Sequence, residues 1–347
     1  MKSLKLISLI LVIFLKTGNV LSEKDLFSVN NIEISFKPQI SNSTMADMAI
    51  KKGFEDLINR VLLKEDIIKF DNLNLDEIKK LISYYRIVNN KNDASSTVRT
   101  FNISFDKDKL HDLFYKKGIS YSDLEKKEFY LLPILKRKDQ IYVYTGNYFY
   151  ENWNKKEKDE LIEFVLPLEN IETIQKINLL KNNLIDLDLR EIFQEYSNKN
   201  LGIILIEEDK ILKEKIFLKV NIMGKNIIKT IRLNKSNLKG DELYDQIILD
   251  IKSELINLSK SQNLIDIRTP SFINVMLKID KKNNLIELNK RLSSIDLIES
   301  IYVQEFNNNN VFLKIKYLGR IDKIIKKLKK EKIILQLKNN QWRLKII

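Results

Sequence analysis

The chain has 347 residues, 60 Lys and Arg against 47 Asp and Glu, a formal charge of +13, one His and no Cys. That composition excludes disulfides, thiolate metal sites, cysteine nucleophiles, a lipid-attached Cys and any multi-His metal centre. With 44% apolar residues and only 8 Gly and 4 Pro, it also excludes a disordered or linker-dominated chain.

Lys2 and Lys5 precede a strongly apolar run over residues 6–15, interrupted by Ser8 alone, and Val20, Leu21 and Ser22 lead to Glu23. A short positive region, an apolar run and a less apolar stretch ending on a small residue are the layout of a secretory signal peptide. Ten residues, nine of them apolar, are too few to cross a bilayer, which takes about 20. The expectation is a cleaved signal peptide over residues 1–22, a periplasmic location, and no transmembrane span in the mature chain. The positive excess favours anionic partners.

Residues 23–122 read as an N-terminal α+β domain. Ile32, Ile34 and Phe36 alternate with polar residues as a strand does. Thr44 and Asp47 have capping-box spacing, ahead of a helical stripe of Phe54, Leu57, Ile58, Val61 and Leu62. A second helical stretch is expected over residues 76–88 and a polar loop over 89–96. Arg99, Phe101, Ile103 and Phe105 mark a strand; Asp106 then caps a short helix carrying Leu110, Leu113 and Phe114, closed by Gly118.

Residues 123–264 read as a middle α/β domain. Two strands, 129–135 and 141–144, are joined by a charged turn. A polar helix, an apolar run at 164–168 and a helix near 184–197 precede a buried strand at 202–206. Strands over 216–223 and 226–233 form a meander. Leu243, Ile247, Ile248, Ile251, Leu255 and Leu258 mark a long amphipathic helix. Residues 265–347 follow the order βαββαβ, with a possible fifth strand carrying Trp342, Leu344 and Ile346 on one face. The expected fold class is therefore α+β: tandem small α/β modules with mixed or antiparallel sheets, ending in a ferredoxin-like domain.

Residues 98–120 (VRTFNISFDKDKLHDLFYKKGIS), 164–170 (FVLPLEN) and 315–346 together resemble a proteobacterial envelope family catalogued as domain of unknown function two-zero-six-six. The resemblance runs along most of the chain after residue 22 and rests on apolar spacing. It departs from the family where Tyr121 stands in place of a Trp, and Lys127-Glu128 in place of an Arg-Pro pair. It implies export and this domain order, and carries over no catalytic residue. FVLPLEN also resembles a strand of periplasmic TolB-like domains.

His111 reads as a surface residue of its short helix. A Ser-His-Asp triad would have to use it, and no G-x-S-x-G elbow or glycine-rich phosphate loop is present. Glu207, Glu208 and Asp209 follow the apolar strand, either as a charged turn or as a catalytic or cation-binding cluster. Asp186 and Asp188 suit helix capping better than calcium, for which further oxygen ligands are lacking. Residues 142–153 crowd Tyr142, Tyr144, Tyr148, Tyr150 and Trp153 together, either as a stacking platform for sugar or peptide or as rings closing the core. Residues 314–347 carry twelve Lys and Arg against Asp322 and Glu331. Within them Lys323, Lys326, Lys327 and Lys330 lie off the apolar face of a helix, as candidates for an anionic surface.

The functional expectation is an exported, non-catalytic binding or assembly factor of the cell envelope. It needs no cofactor or metal, and its partner is an envelope protein or an anionic membrane or cell-wall surface rather than nucleic acid. The alternative is a carboxylate-dependent hydrolase of cell-wall glycan, which would need two carboxylates facing each other about 5–9 Å apart.

Overall fold

The computed structural model describes residues 26–35, 41–88, 98–124, 126–155, 161–196, 198–208, 215–232, 238–279, 285–307 and 309–347. The expected signal peptide at residues 1–22, the loop at 89–96, Phe36, Asp209 and Leu233 lie outside the described residues. The chain divides into two compact units. The first takes in residues up to Asn59 and Ile67–Gly118; the second takes in Arg60–Asp66 and Ile119–Ile347. As expected, both are α+β.

The first unit contains β1 (Ser28–Ser35), α1 (Asn42–Val61, whose last two residues group with the second unit), α2 (Lys64–Ile67, at the boundary), α3 (Leu75–Lys80), β2 (Ile82–Val88), β3 (Val98–Phe105) and α4 (Lys107–Lys117). Its antiparallel sheet has the order β1-β3-β2. Phe101, Ile103 and Phe105 are buried, as are Phe54 and Leu57 of α1, so strand and helix alternation both point into one core. Helix α1 starts one turn before the expected capping box: the Ser41 hydroxyl accepts from the Thr44 amide at 3.1 Å. The expected second helix stops at Lys80. Its continuation, ISYYRIV, becomes β2, because β-branched and aromatic residues pair more readily with β3 than they hold a helical turn. The ends of α4 follow the sequence: Asp106 accepts from the Asp108 and Lys109 amides, and Gly118 closes the helix at φ 64°.

The second unit is built on a mixed six-stranded sheet. Its strands are β5 (Lys127–Arg137), β6 (Gln140–Tyr142), β7 (Ile162–Val165), β8 (Asn200–Glu207), β9 (Lys215–Ile222) and β10 (Lys225–Arg232); a short β4 (Tyr121–Ser122) precedes them. The order is β10-β9-β8-β5-β6, with β7 also on β5. Strands β5, β7 and β8 run parallel. The helices are α5 (Tyr148–Asn152), α6 (Ile171–Leu179), α7 (Leu189–Ile192) and α8 (Asp241–Ser261). Alternate residues of β5 enter opposite cores. Phe129, Leu131 and Leu135 meet Ile247, Ile248, Ile251 and Leu255 of α8; Tyr130, Leu132 and Ile134 meet Ile177, Leu189 and Phe193. A strand buried on both faces reads as a continuous apolar run, and FYLLPIL is one. The helix expected near 184–197 is broken into one turn of α-helix between two 3₁₀ turns, while α6 was not signalled by the sequence reading.

Pro133 lies in the middle of this central strand, where a missing N–H normally breaks a ladder. On the side away from β8, β7 pairs with residues 127–130 and β6 with residues 135–137, so Pro133 faces the gap between them. The side chain of Asn147, fully buried, fills that gap. Its Nδ2 donates to the carbonyls of Pro133 (2.9 Å), Val143 (3.0 Å) and Tyr142 (3.1 Å), while its Oδ1 accepts from the Phe149 and Tyr150 amides at the start of α5.

Strand β11 (Leu264–Ile265) pairs with β4. The unit ends with β12 (Ser271–Lys278), α9 (Leu285–Ser293), β13 (Ile298–Phe306), β14 (Asn310–Tyr317), α10 (Ile321–Lys330), β15 (Ile333–Lys338) and β16 (Gln341–Ile346). The βαββαβ order is present, and β16 adds a fifth strand. The sheet order is β13-β14-β12-β16-β15: β16 lies between β12 and β15, parallel to the first and antiparallel to the second. Helix α9 packs on β13 and α10 on β15. Their Leu288, Leu292, Ile324 and Leu328 are buried, as are the inward residues of β12 and β14.

Candidate functional site

The carboxyl ends of parallel strands are where open α/β sheets place ligands. Here the ends of β5 and β8 carry Arg137 and Glu208. The Arg137 Nε donates to Glu208 Oε1 at 3.1 Å, and the Tyr244 hydroxyl of α8 donates to the same oxygen at 2.9 Å. The Arg137 guanidinium lies 5.5 Å from the ring centroid of Tyr142, within cation–π range. Beside it, Tyr148 donates to Asp245 Oδ1 at 3.0 Å and its ring centroid is 5.2 Å from that of Tyr244. Burial, helped by the adjacent Asp245 carboxylate, pushes the Tyr148 phenol up to about 12. Burial and Glu208 raise Tyr244 likewise. Both phenols therefore stay protonated at neutral pH and act as hydrogen-bond donors. The Glu208 carboxylate is already engaged by two donors, so the cluster fits polar binding better than proton abstraction.

The aromatic segment does not form one platform. Tyr142, Tyr148 and Trp153 belong with the α8 side of the sheet, and Tyr144 and Tyr150 with the opposite side. Strand β6 ends at Tyr142 and the chain turns, so the alternation that would align the rings is lost. Trp153 is fully buried, edge-on to Phe164 at 5.8 Å, with Lys252 Nζ 5.9 Å from both rings. Tyr144 is buried and T-stacked on Tyr150 at 5.1 Å, whose hydroxyl donates to the Pro167 carbonyl at 2.7 Å. Only Tyr142 and Tyr148 reach the strand-end cluster.

At the other end of the sheet a polar hollow of about 670 Å³ is lined by Asp186, Asp188, Arg190, Lys199, Lys219 and Asn221 among others. Its charges are tied into local structure. Lys219 donates to the Ile185 and Leu187 carbonyls, both at 2.8 Å; Lys199 bonds Glu128 at 2.8 Å; and Asp188 caps α7 through the Arg190 amide. No group of three or more His, Asp or Glu arranged to hold a metal occurs among the described residues. His111 corrects the sequence expectation: it is buried, not a surface residue, with its ring edge-on to Phe27 at 5.7 Å. Helix α4 turns Leu110, His111 and Phe114 inward together.

The four candidate lysines of α10 divide. Lys323 pairs with Asp123, and Lys327 with Asp296 at 2.9 Å. Lys326 and Lys330 are exposed, as is Lys329. Further cations that the helix reading passed over stand on the face of the terminal sheet that α9 and α10 leave uncovered. Alternation puts Phe272, Asn274, Met276 and Lys278 of β12 on that face, opposite the buried Ile273, Val275 and Leu277. Register adds Phe312, Lys314 and Lys316 of β14, Tyr302 of β13, Arg343 and Lys345 of β16, and Lys338 of β15. Compared with family models, curated proteins and solved structures, the chain finds no match.

Proposed function

We propose that this is an exported, non-catalytic binding or assembly factor of the cell envelope that engages an anionic partner through its terminal βαββαββ module. The observation that supports it most is the charge of residues 314–347: twelve cations against two carboxylates, with Lys338 and Lys345 of the terminal sheet exposed. The segment 1–22 and the family resemblance add the address. Among the described residues no helix is long and apolar enough to cross a membrane, so association with a lipid surface would be peripheral.

Fractionation of an expressing bacterial host tests the reading. The expected result is a periplasmic or membrane-associated protein starting within a few residues of Glu23, released from the membrane fraction by salt. An intact chain from Met1 in the cytoplasm would overturn it.

A further inference from the structure

The uncovered face of the terminal sheet combines two features. It carries Lys278, Lys314, Lys316, Lys338, Arg343 and Lys345, with Glu305 of β13 the carboxylate in register with Phe312. Among these cations stand rings: Phe272 is 50% exposed and Tyr302 49%, with Phe312 partly exposed two residues before Lys314 on β14. Lys314 Nζ lies 4.6 Å from the Phe272 centroid and is in register with Tyr302. Arg343, in register with Met276 and Gln336, has a shielded Nε with no hydrogen-bond acceptor among the described residues. A solvated sheet face ordinarily shows polar side chains and mixed charges. Rings set beside ammonium and guanidinium groups on a flat surface match a bilayer interface, where rings sit at headgroup level and cations meet lipid phosphates.

We propose that this open sheet face, rather than the lysine-rich helix α10, lies on an anionic lipid bilayer. The inference rests on the proposed anionic partner and names its class and the side that meets it. Charge complementarity selects the occupant: Lys278, Lys314, Lys316, Lys338, Arg343 and Lys345 outnumber the carboxylates on the face, and lipid phosphates supply the opposite charge. Helix α10 is a poorer candidate, since Lys323 and Lys327 are spent on Asp123 and Asp296 and its apolar residues Ile324 and Leu328 are buried. It lies on the opposite side of the sheet, so its remaining lysines stand about a Debye length or more from a bilayer on the open face.

The test is co-sedimentation of the chain from Glu23, the form that export implies, with vesicles of zwitterionic lipid alone or with roughly a third of anionic phosphatidylglycerol. Wild type is expected to pellet with the anionic vesicles and to be released as salt rises. The double variant Lys316→Gln/Lys345→Gln should weaken binding roughly thirty-fold, from the contribution of about one surface charge each. Phe272→Ser with Tyr302→Ser should weaken it at high salt as well as low, because rings are not screened. Lys326→Gln/Lys329→Gln should change it less than about two-fold. Urea midpoints equal to wild type would show that each variant folds. If the α10 pair carries the loss and the sheet pair does not, the anionic partner stands and the assignment of this face falls. If nothing pellets with either vesicle, the lipid assignment falls, while an anionic protein or polymer partner stands. Tighter capture by a single-stranded oligonucleotide than by anionic vesicles would replace the lipid with a nucleic acid and overturn the proposal.

Discussion

Asn147 is the residue whose loss the second unit should feel most for its size. Its amide carries two protons and meets three carbonyls, so those protons are shared. Buried carbonyls left without donors cost about 1–3 kcal/mol each. Asn147→Ala is expected to lower stability by about 3 kcal/mol or more, read as a urea midpoint shift with unchanged m-value. Asn147→Asp should be worse, because a carboxylate donates nothing to Pro133, Tyr142 and Val143. A loss under about 0.5 kcal/mol would mean that water takes the place of the side chain. His111 teaches the converse. A lone His beside Asp112 on a charged helix reads as surface, but the burial of its neighbours Leu110 and Phe114 carries it inward against Phe27.

At the scale of elements, α3 is short enough for its cap to decide whether it forms. Asn74 Oδ1 accepts from the Glu77 amide and Glu77 Oε2 accepts from the Asn74 amide, both at 3.0 Å. Asn74→Ala is expected to cost about 1 kcal/mol, seen in chemical unfolding of the first unit. A matching Glu77→Ala in a double-mutant cycle should be less than additive, since both changes open the same reciprocal box. The elements with strong periodicity were legible from residues alone: β3 from RTFNISF, α8 from its Leu243 to Leu258 stripe, α4 from Asp106 and Gly118, and the alternating β12 and β14. Where the reading failed, tertiary pairing outweighed local pattern. ISYYRIV fits a helix wheel loosely but gains a full ladder beside β3. The broken stretch around α7 carries apolar residues at helical spacing, yet Leu184, Leu187, Leu189 and Phe193 bury better through separate turns. The candidate site was legible only in part. Glu208 and the tyrosines were visible as residues, while Arg137, Tyr244 and Asp245 are brought together by strand order, which no local window contains. The open sheet face was legible only in part in the even positions of β12, where Phe272 and Met276 mix with Asn274 and Lys278; the cations of β14, β15 and β16 join them only through strand order.

At the scale of the molecule, the second unit should be sensitive to alkali. Tyr121, Tyr130, Tyr144, Tyr148, Tyr150 and Tyr244 are all raised above the ordinary phenol value, chiefly by burial. A raised group favours the folded state while it is protonated. Its contribution is complete below the unfolded value of about 10 and is lost as pH climbs through the folded value. The stability of this unit should therefore fall between about pH 10 and 12. Thermal unfolding at pH 8 and pH 11 checks the sign. The titration of Tyr148→Phe, followed by absorbance near 295 nm, should lack a step at about 12 that wild type shows. A transition that is insensitive to pH up to 12 would show that these phenols reach solvent freely.

The interposed position of β16 bears on how the chain is made. The edge of β12 that β16 covers stays a bare row of N–H and C=O groups until the residues after Lys338 have emerged. An unfinished chain thus presents the kind of open strand on which other chains add. During synthesis this module cannot complete its sheet until that last strand has emerged. Truncation after Asn340 would then leave more than a shortened tail: it removes an interior strand, and β15 loses its ladder to the sheet with it.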